Sequence, residues 1–189
     1  MLESLINLDH SLFQLINKTW SNGVFDSLMP VITNKNTWIP LYILILVFFI
    51  YKFRKYAYIP VVCLALCVGA ADYSTSGIIK PSVERTRPCN IQELEANILV
   101  SCRNSPSFPS SHAANHFAIA VFLMFFLKGK WKKLVWPFLI WAFFIAYSRV
   151  YVGVHFPIDI SVGAAIGILL GIVFGKISIK LMHKFAPSV

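Results

Sequence analysis

The stretch SFPSSHAANHFAIAVFLMFFL, residues 107–127, opens on serines and histidines and closes as an unbroken apolar run. Residues 113–127 carry no Asp, Glu, Lys or Arg and read as a membrane-spanning helix. Polar and ionisable groups beside such a run are costly next to lipid, so a cluster of them calls for a function. The stretch therefore predicts a membrane helix that begins in a polar site.

The rest of the chain extends that reading. Of its 189 residues 57% are hydrophobic, 15% aromatic and only 13% charged, with a mean hydropathy of +0.68. Soluble domains carry roughly 25% charged residues, so composition alone assigns this chain to the membrane. Four more uncharged runs stand at 36–51, 56–71, 134–148 and 160–175. Each is slightly under the roughly 20 residues a bilayer needs, and uncharged polar residues or a motif complete it at one end. The run 56–71 continues past Asp72 to Ile79. The expected fold class is all-α, a polytopic transmembrane helix bundle with five full spans in a core over 36–189. Residues 1–35 form a separate N-terminal part. In ESLINLDHSLFQLINK, residues Leu5, Ile6, Leu12, Leu15 and Ile16 share roughly one face, which predicts an amphipathic helix at the interface. VFDSLMPVIT is too short to cross alone, and a sixth, irregular span built from these pieces is the alternative. Glu3 and the lack of basic residues near it predict no cleavable signal peptide.

Charge placement orients the bundle. The net charge of +9 raises nucleic acid as a partner, yet no DNA- or RNA-reading motif accompanies it. Instead Lys52, Arg54 and Lys55, then Lys128, Lys130, Lys132 and Lys133, then Lys176, Lys180 and Lys184 fall on one side of a five-span chain. These are ten of the 17 basic residues, and the positive-inside rule makes that side cytoplasmic. The loop 80–111 and the turn near 149–158 then share the external face. Gly163, Gly167, Gly171 and Gly175 form a four-residue stripe along the last helix. Such a stripe lets a second helix approach closely, within the bundle or across a homodimer seam. Cys63 and Cys67, one turn apart in an apolar run, are expected to be inert core residues. Cys89 and Cys102 lie in the external loop and matter only in an oxidising compartment.

Three polar clusters converge on that face. KPSVERTRP holds Lys80, Arg85 and Arg87; PSSH holds Ser110, Ser111 and His112; SRVYVGVHFPID holds Arg149, His155 and Asp159. Lys80, Arg87 and Arg149 have no matched acids in their motifs, and an anion with several oxygens suits them. Ser110 and Ser111 precede a helix, where free N–H groups and the dipole favour anions. The plainer account is snorkelling of arginines to headgroups, which applies best to Arg85 or Arg103 taken singly. His155 and Asp159 are four apart with Pro157 at a first helical turn, so the carboxylate can hold one imidazole nitrogen and free the other as a nucleophile. The alternative is a buried structural hydrogen bond. His112 is placed to protonate a leaving group. His112 and His116 have metal-ligand spacing but lack the glutamate of HExxH and a nearby acid or cysteine, so no metal is expected and His116 is read as a supporting or packing residue.

The patterns K-x6-R-P (Lys80, Arg87, Pro88), P-S-x-H (Pro109, Ser110, His112) and S-R-x5-H-x3-D (Ser148, Arg149, His155, Asp159) together resemble the three motifs of the type-2 phosphatidic acid phosphatases. These are integral-membrane lipid phosphatases related to vanadium haloperoxidases. The resemblance covers residues 80–159 in order and spacing. It implies that Lys80, Arg87, Ser110 and Arg149 hold a phosphate; Ser111, a departure from the family, adds a hydroxyl to that site by its own residue type. It further implies that His155 attacks phosphorus, Asp159 orients it, and His112 protonates the departing oxygen, with no cofactor. Ser111 stands where the family usually has glycine.

The substrate is then a phospholipid or polyprenyl phosphate. A site on the periplasmic face of a bacterial inner membrane puts undecaprenyl pyrophosphate first, with phosphatidylglycerol phosphate, phosphatidate and lipid A phosphate as alternatives. A lipid transporter or flippase is disfavoured because the charge sits at one membrane face. A haloperoxidase is disfavoured because relatives of that kind are soluble. In an oxidising periplasm Cys89 and Cys102 can close the loop as a disulfide, and two free thiols are the alternative. Asp72, inside a span, is expected to pair with a nearby cation or hydroxyl.

Overall fold

The computed structural model describes residues 2–127 and 129–186, and it is helical without a β-strand among them. Helix α1 spans Leu2–Gln14 and continues through a wider turn, Leu15–Thr19. Helix α2 spans Gly23–Thr33, capped by the Asn22 side chain, which accepts the Phe25 N–H at 3.1 Å. Helices α3 (Ile39–Phe53) and α4 (Tyr58–Asp72) form a hairpin around a short basic turn. Helix α4 runs on through a wider turn, Tyr73–Ile79, and a last turn, Lys80–Val83. After the long loop come α5 (Ser111–Met124), α6 (Val135–Tyr151) and α7 (Pro157–Phe185). Proline in the first turn of α3 and α7 starts each helix where its missing N–H costs nothing.

Among the described residues, four segments are long and apolar enough to cross a membrane: Lys35–Tyr56, Tyr58–Asn90, Trp131–Tyr151 and Pro157–Phe185. The fifth expected span is different. Helix α5 has 14 residues, about 21 Å of rise, and stops at Met124. It runs through the middle of the bundle, with Ala113, Ala114, Ala118, Ala120 and Phe122 fully enclosed. Helices α4, α6 and α7 surround it, so its length need not match the bilayer. A hydropathy scan cannot separate such an enclosed helix from a spanning one.

The glycine stripe explains the closeness of α5 and α7. A Cβ built on Gly163 would sit 2.3 Å from the Ser110 carbonyl oxygen, and one on Gly167 2.2 Å from that of Ala114. One on Gly171 would meet the Ala118 oxygen at 2.9 Å, and one on Gly175 the Phe125 ring at 2.3 Å. The glycine face is therefore filled by α5 and its C-terminal turn within the same chain. The seam is internal, the first of the two readings of these four glycines, and the stripe is not free to form a homodimer contact.

The N-terminal helices pack at the end of the bundle where α6 finishes and α7 begins. Asp9, Phe13 and Asn17 turn inward, while Leu5, Ile6, Leu8 and Leu12 face outward. Asn17 donates to the Tyr151 and Asn97 carbonyls at 2.7 and 2.8 Å, tying this segment to the long loop. At the opposite end Lys52 donates to the Phe126 carbonyl, joining the two basic turns. Lys128 and the side chain of Lys130 lie outside the described residues.

Helix contact this close makes a sharp prediction. Gly167→Ala should lower the unfolding midpoint in detergent by several degrees, as overpacking costs about 1–3 kcal/mol. Gly69→Ala, where nothing lies within 4 Å of the added methyl, should leave it unchanged. Equal midpoints for the two variants would contradict the packing described.

Candidate active site

The site forms where four chain segments meet: the end of α4, the long loop, the start of α5, and the α6–α7 turn. Helix α7 begins at Pro157, and the Asp159 carboxylate reaches back to accept the Phe156 N–H at 2.9 Å. That local cap places Asp159 one turn from His155. Asp159 Oδ2 lies 3.4 Å from His155 Nδ1 and also accepts the Ser107 hydroxyl. On the other side of the ring, Nε2 is 3.2 Å from Arg87 Nη1. Guanidinium has donors only, so Nε2 must accept, and the ring proton resides on Nδ1 facing Asp159. This is the tautomer that leaves the Nε2 lone pair directed away from the carboxylate.

The three predicted phosphate-binding cations, Lys80, Arg87 and Arg149, line the same cavity, which measures about 1010 Å³ and also has Lys35, Arg103, Ser111, His112 and His155 in its wall. Lys80 Nζ donates to the Pro106 and Ser107 carbonyls at 2.8 and 3.2 Å. Arg87 Nε donates to the Ser105 carbonyl at 2.7 Å and its Nη1 to that of Val154 at 3.0 Å. Arg149 Nη1 donates to Thr33 Oγ1 at 2.7 Å, and its buried Nε has no acceptor among the described residues. None of the three is ion-paired among the described residues. Carbonyl and hydroxyl dipoles fix their positions, and no carboxylate touches any of the three among the described residues.

The two serines divide their work. Ser110 is fully enclosed: its backbone N–H donates to the Asp159 carbonyl at 2.9 Å and its hydroxyl caps α5 at Ala113 N, 3.5 Å away. It is Ser111 that lines the cavity, with its hydroxyl 2.9 Å from Thr75 Oγ1 and 2.8 Å from Ser76 Oγ. The first-turn amides of Ser111 and His112 head the helix there. His112 borders the cavity, and its carbonyl accepts from His116 Nδ1 at 2.7 Å. His116 Nε2 in turn accepts from the Tyr42 hydroxyl at 3.0 Å, so both its nitrogens are engaged in packing. Asp72 accepts from Asn115 Nδ2 at 3.3 Å. Cys89 and Cys102 are joined as a disulfide, closing the loop between Arg87 and Arg103.

Two residues beside the catalytic candidates escaped the sequence reading. Ser107 bonds Asp159 and sits 3.3 Å from His155 Nδ1. Arg85, which looked like a headgroup-facing arginine, instead donates to Asp159 Oδ1 at 2.7 Å. Neither has a local spacing signature, although Ser107 opens the stretch that decides the fold.

Comparison with known proteins places this geometry. The PAP2 superfamily pattern matches residues 57–182. A lipid A 4′-phosphatase of Bacteroides thetaiotaomicron is 35% identical over 168 residues, covering 86% of this chain and 73% of that protein. An undecaprenyl-diphosphatase of Sulfolobus acidocaldarius is 29% identical over 164 residues, covering 85% and 74%. A crystal structure of a transmembrane PAP2-type phosphatidylglycerolphosphate phosphatase from Bacillus subtilis superposes with a TM-score of 0.73 at 25% identity, covering 94% of this chain and 87% of that one. That of Aquifex aeolicus LpxE gives 0.64 at 29% identity, covering 89% and 95%. The chain belongs to the PAP2 superfamily. It is a multi-pass membrane lipid phosphatase, a hydrolase of phosphoric esters.

Burial, with added repulsion from Arg149 and Arg87, pushes the His155 pKa down to about 3, while its bond to Asp159 pulls the other way. The folded protein therefore keeps this ring neutral as pH falls through the ordinary histidine range near 6.5, where the unfolded chain takes up a proton, so this group withdraws stability below that range. Nitrogen NMR of histidine-labelled protein should show His155 neutral, with its proton on Nδ1, at pH 5. A midpoint near 6.5 would contradict the burial and charge balance described.

Proposed function

We infer that the protein removes a phosphate from an envelope lipid through a phosphohistidine at His155, with lipid A 4′-phosphate as the leading substrate. One observation carries the lipid reading. The polar cavity adjoins an apolar groove of about 480 Å³ between α3, α4 and α5, and Lys35, His112 and Asn115 border both. An amphiphile can lie there with its phosphate among the cations and its chains along Leu46, Val61, Leu64 and Val68. The choice of lipid A is supported by two relatives of that name, at 35% and 28% identity, each aligned over 168 residues.

The chemistry follows from the placement. Lys80, Arg87, Arg149 and the first-turn amides of α5 hold the phosphate oxygens and the charge that grows on them in the transition state. Ser111 contributes its hydroxyl from the cavity wall, and Ser110 acts through the cap it makes on α5. The Nε2 lone pair of His155 forms the N–P bond as the P–O bond to the lipid breaks. Asp159 stabilises the positive charge that appears on the ring. The incoming phosphate supplies negative charge beside His112, which favours a proton on that imidazole for transfer to the leaving oxygen. Water then attacks phosphorus as the now neutral His112 takes its proton, the N–P bond breaks, and inorganic phosphate departs.

Undecaprenyl diphosphate is the second reading. Arg103 lines the same cavity as a further cation without an ion-pair partner among the described residues, and a diphosphate brings a second charged group for it. The basic turns at the far end of the bundle and the disulfide near the site support a bacterial inner-membrane location with the cavity on the periplasmic face.

Phosphate release should be measured on lipid A, undecaprenyl diphosphate, phosphatidylglycerol phosphate and phosphatidate, with chelator present. The expected result is fastest release from lipid A, unaffected by chelator and reduced more than about 1000-fold in His155→Ala. Faster release from undecaprenyl diphosphate would favour the second reading. Activity that chelator abolishes would contradict the histidine mechanism.

A further inference from the structure

Behind His155 and Asp159, on the side away from the cavity, lies a chain of charges that begins in the N-terminal helix. Asp9 in α1 is 1% exposed, yet it is an acid. Its Oδ2 accepts from Arg85 Nη2 at 2.6 Å, while Arg85 Nη1 donates to Asp159 Oδ1 at 2.7 Å. Asp9 Oδ1 accepts the Ile158 N–H at 2.9 Å, inside the first turn of α7. The guanidinium lies 4.0 Å over the Phe156 ring, and His10 stacks on that ring at 4.8 Å. Finally, the Arg85 carbonyl accepts the Ser107 N–H at 2.7 Å, placing the hydroxyl that bonds Asp159. Neither Asp9 nor Arg85 lines the cavity, in contrast to Lys80, Arg87 and Arg149.

We propose that Asp9 is a positioning residue for the phosphatase reaction, acting through Arg85 to hold Asp159 in place and to leave the negative charge of its carboxylate available to His155. The inference rests on His155 as nucleophile and adds the N-terminal helix to its machinery. The charge count makes the case. A single guanidinium facing Asp159 alone would neutralise the carboxylate that must stabilise a cationic phosphohistidine. With Asp9 on its other edge, Arg85 is shared between two acids, and the trio carries one net negative charge. The fork also fixes which oxygen does what. Oδ1 is taken by Arg85, so Oδ2 is left for Ser107, Phe156 N–H and His155 Nδ1. A lysine at 85 could not bridge both acids, because an ammonium lacks the fork.

The test compares Asp9→Asn, Asp159→Asn and the double variant, in the full-length protein in detergent. Asp9→Asn is expected to lower kcat about 10- to 100-fold per folded enzyme with KM unchanged, the usual cost of losing a partner that orients a functional ligand. In the Asp159→Asn background the same substitution should have no further effect, because it acts through Asp159. The His155 Nδ1–H resonance, read without substrate, should shift in Asp9→Asn. A kcat equal to wild type, a fully additive double variant, or an unmoved resonance would overturn the proposal. If Asp9→Asn does not fold, Arg85→Lys carries the same comparison with the same expected outcomes. A wild-type enzyme that releases no phosphate from any of the four lipids would defeat the phosphatase mechanism instead, and the resonance would still decide whether Asp9 reaches His155.

Discussion

Three cations without carboxylate partners, Lys80, Arg87 and Arg149, are held at one end of an otherwise apolar bundle, and much of the site architecture is arranged around them. Buried positive charges repel one another and lose hydration, so each needs several fixed dipoles to stay in place. The loop 105–107 supplies carbonyls to Lys80 and Arg87, and Thr33 supplies its hydroxyl to Arg149. Dipoles fix position without cancelling charge. The result is a rigid surface whose remaining electrostatic need is met by an anion with several oxygens, which is what a phosphate ester brings.

The same constraint orders the helices. The site requires α5 to begin inside the bundle rather than at its lipid surface, because the first-turn amides and His112 must face Lys80 and Arg149 from within. Glycines on α7 let α5 come close enough for its carbonyls to touch the α7 backbone path, and alanines on α5 complete the fit. Helices α1 and α2 then close the end of the bundle. Their inward face carries Asp9, Asn17 and Thr33, and their outward face carries leucines, an inversion of the soluble pattern that suits a lipid environment.

Much of this was legible in the sequence because each motif is local. Lys80 and Arg87 share one helix end and the bend after it. Ser110, Ser111 and His112 share one helix start, and His155 with Asp159 shares one turn. Spacing alone brings such residues near each other, and the uncharged runs place them at one membrane face. What escaped was non-local or enclosed. Arg85 bonds Asp9 and Asp159 across separations of 76 and 74 residues, and no periodicity announces such a contact. Ser107 stood in plain view, but nothing in its neighbours tells a cap from a ligand. The enclosed helix α5 reads like any other apolar run, since hydropathy records what surrounds a helix only as apolar.

The most direct test of the central claim is a crystal structure of the protein with orthovanadate, which takes the trigonal-bipyramidal shape of phosphorus in transfer. The account predicts vanadium bonded to His155 Nε2, its equatorial oxygens among Lys80, Arg87, Arg149 and the amides of Ser111 and His112, and His112 beside the apical oxygen opposite. Vanadate bound away from His155, or absent from a cavity with these cations in place, would contradict it.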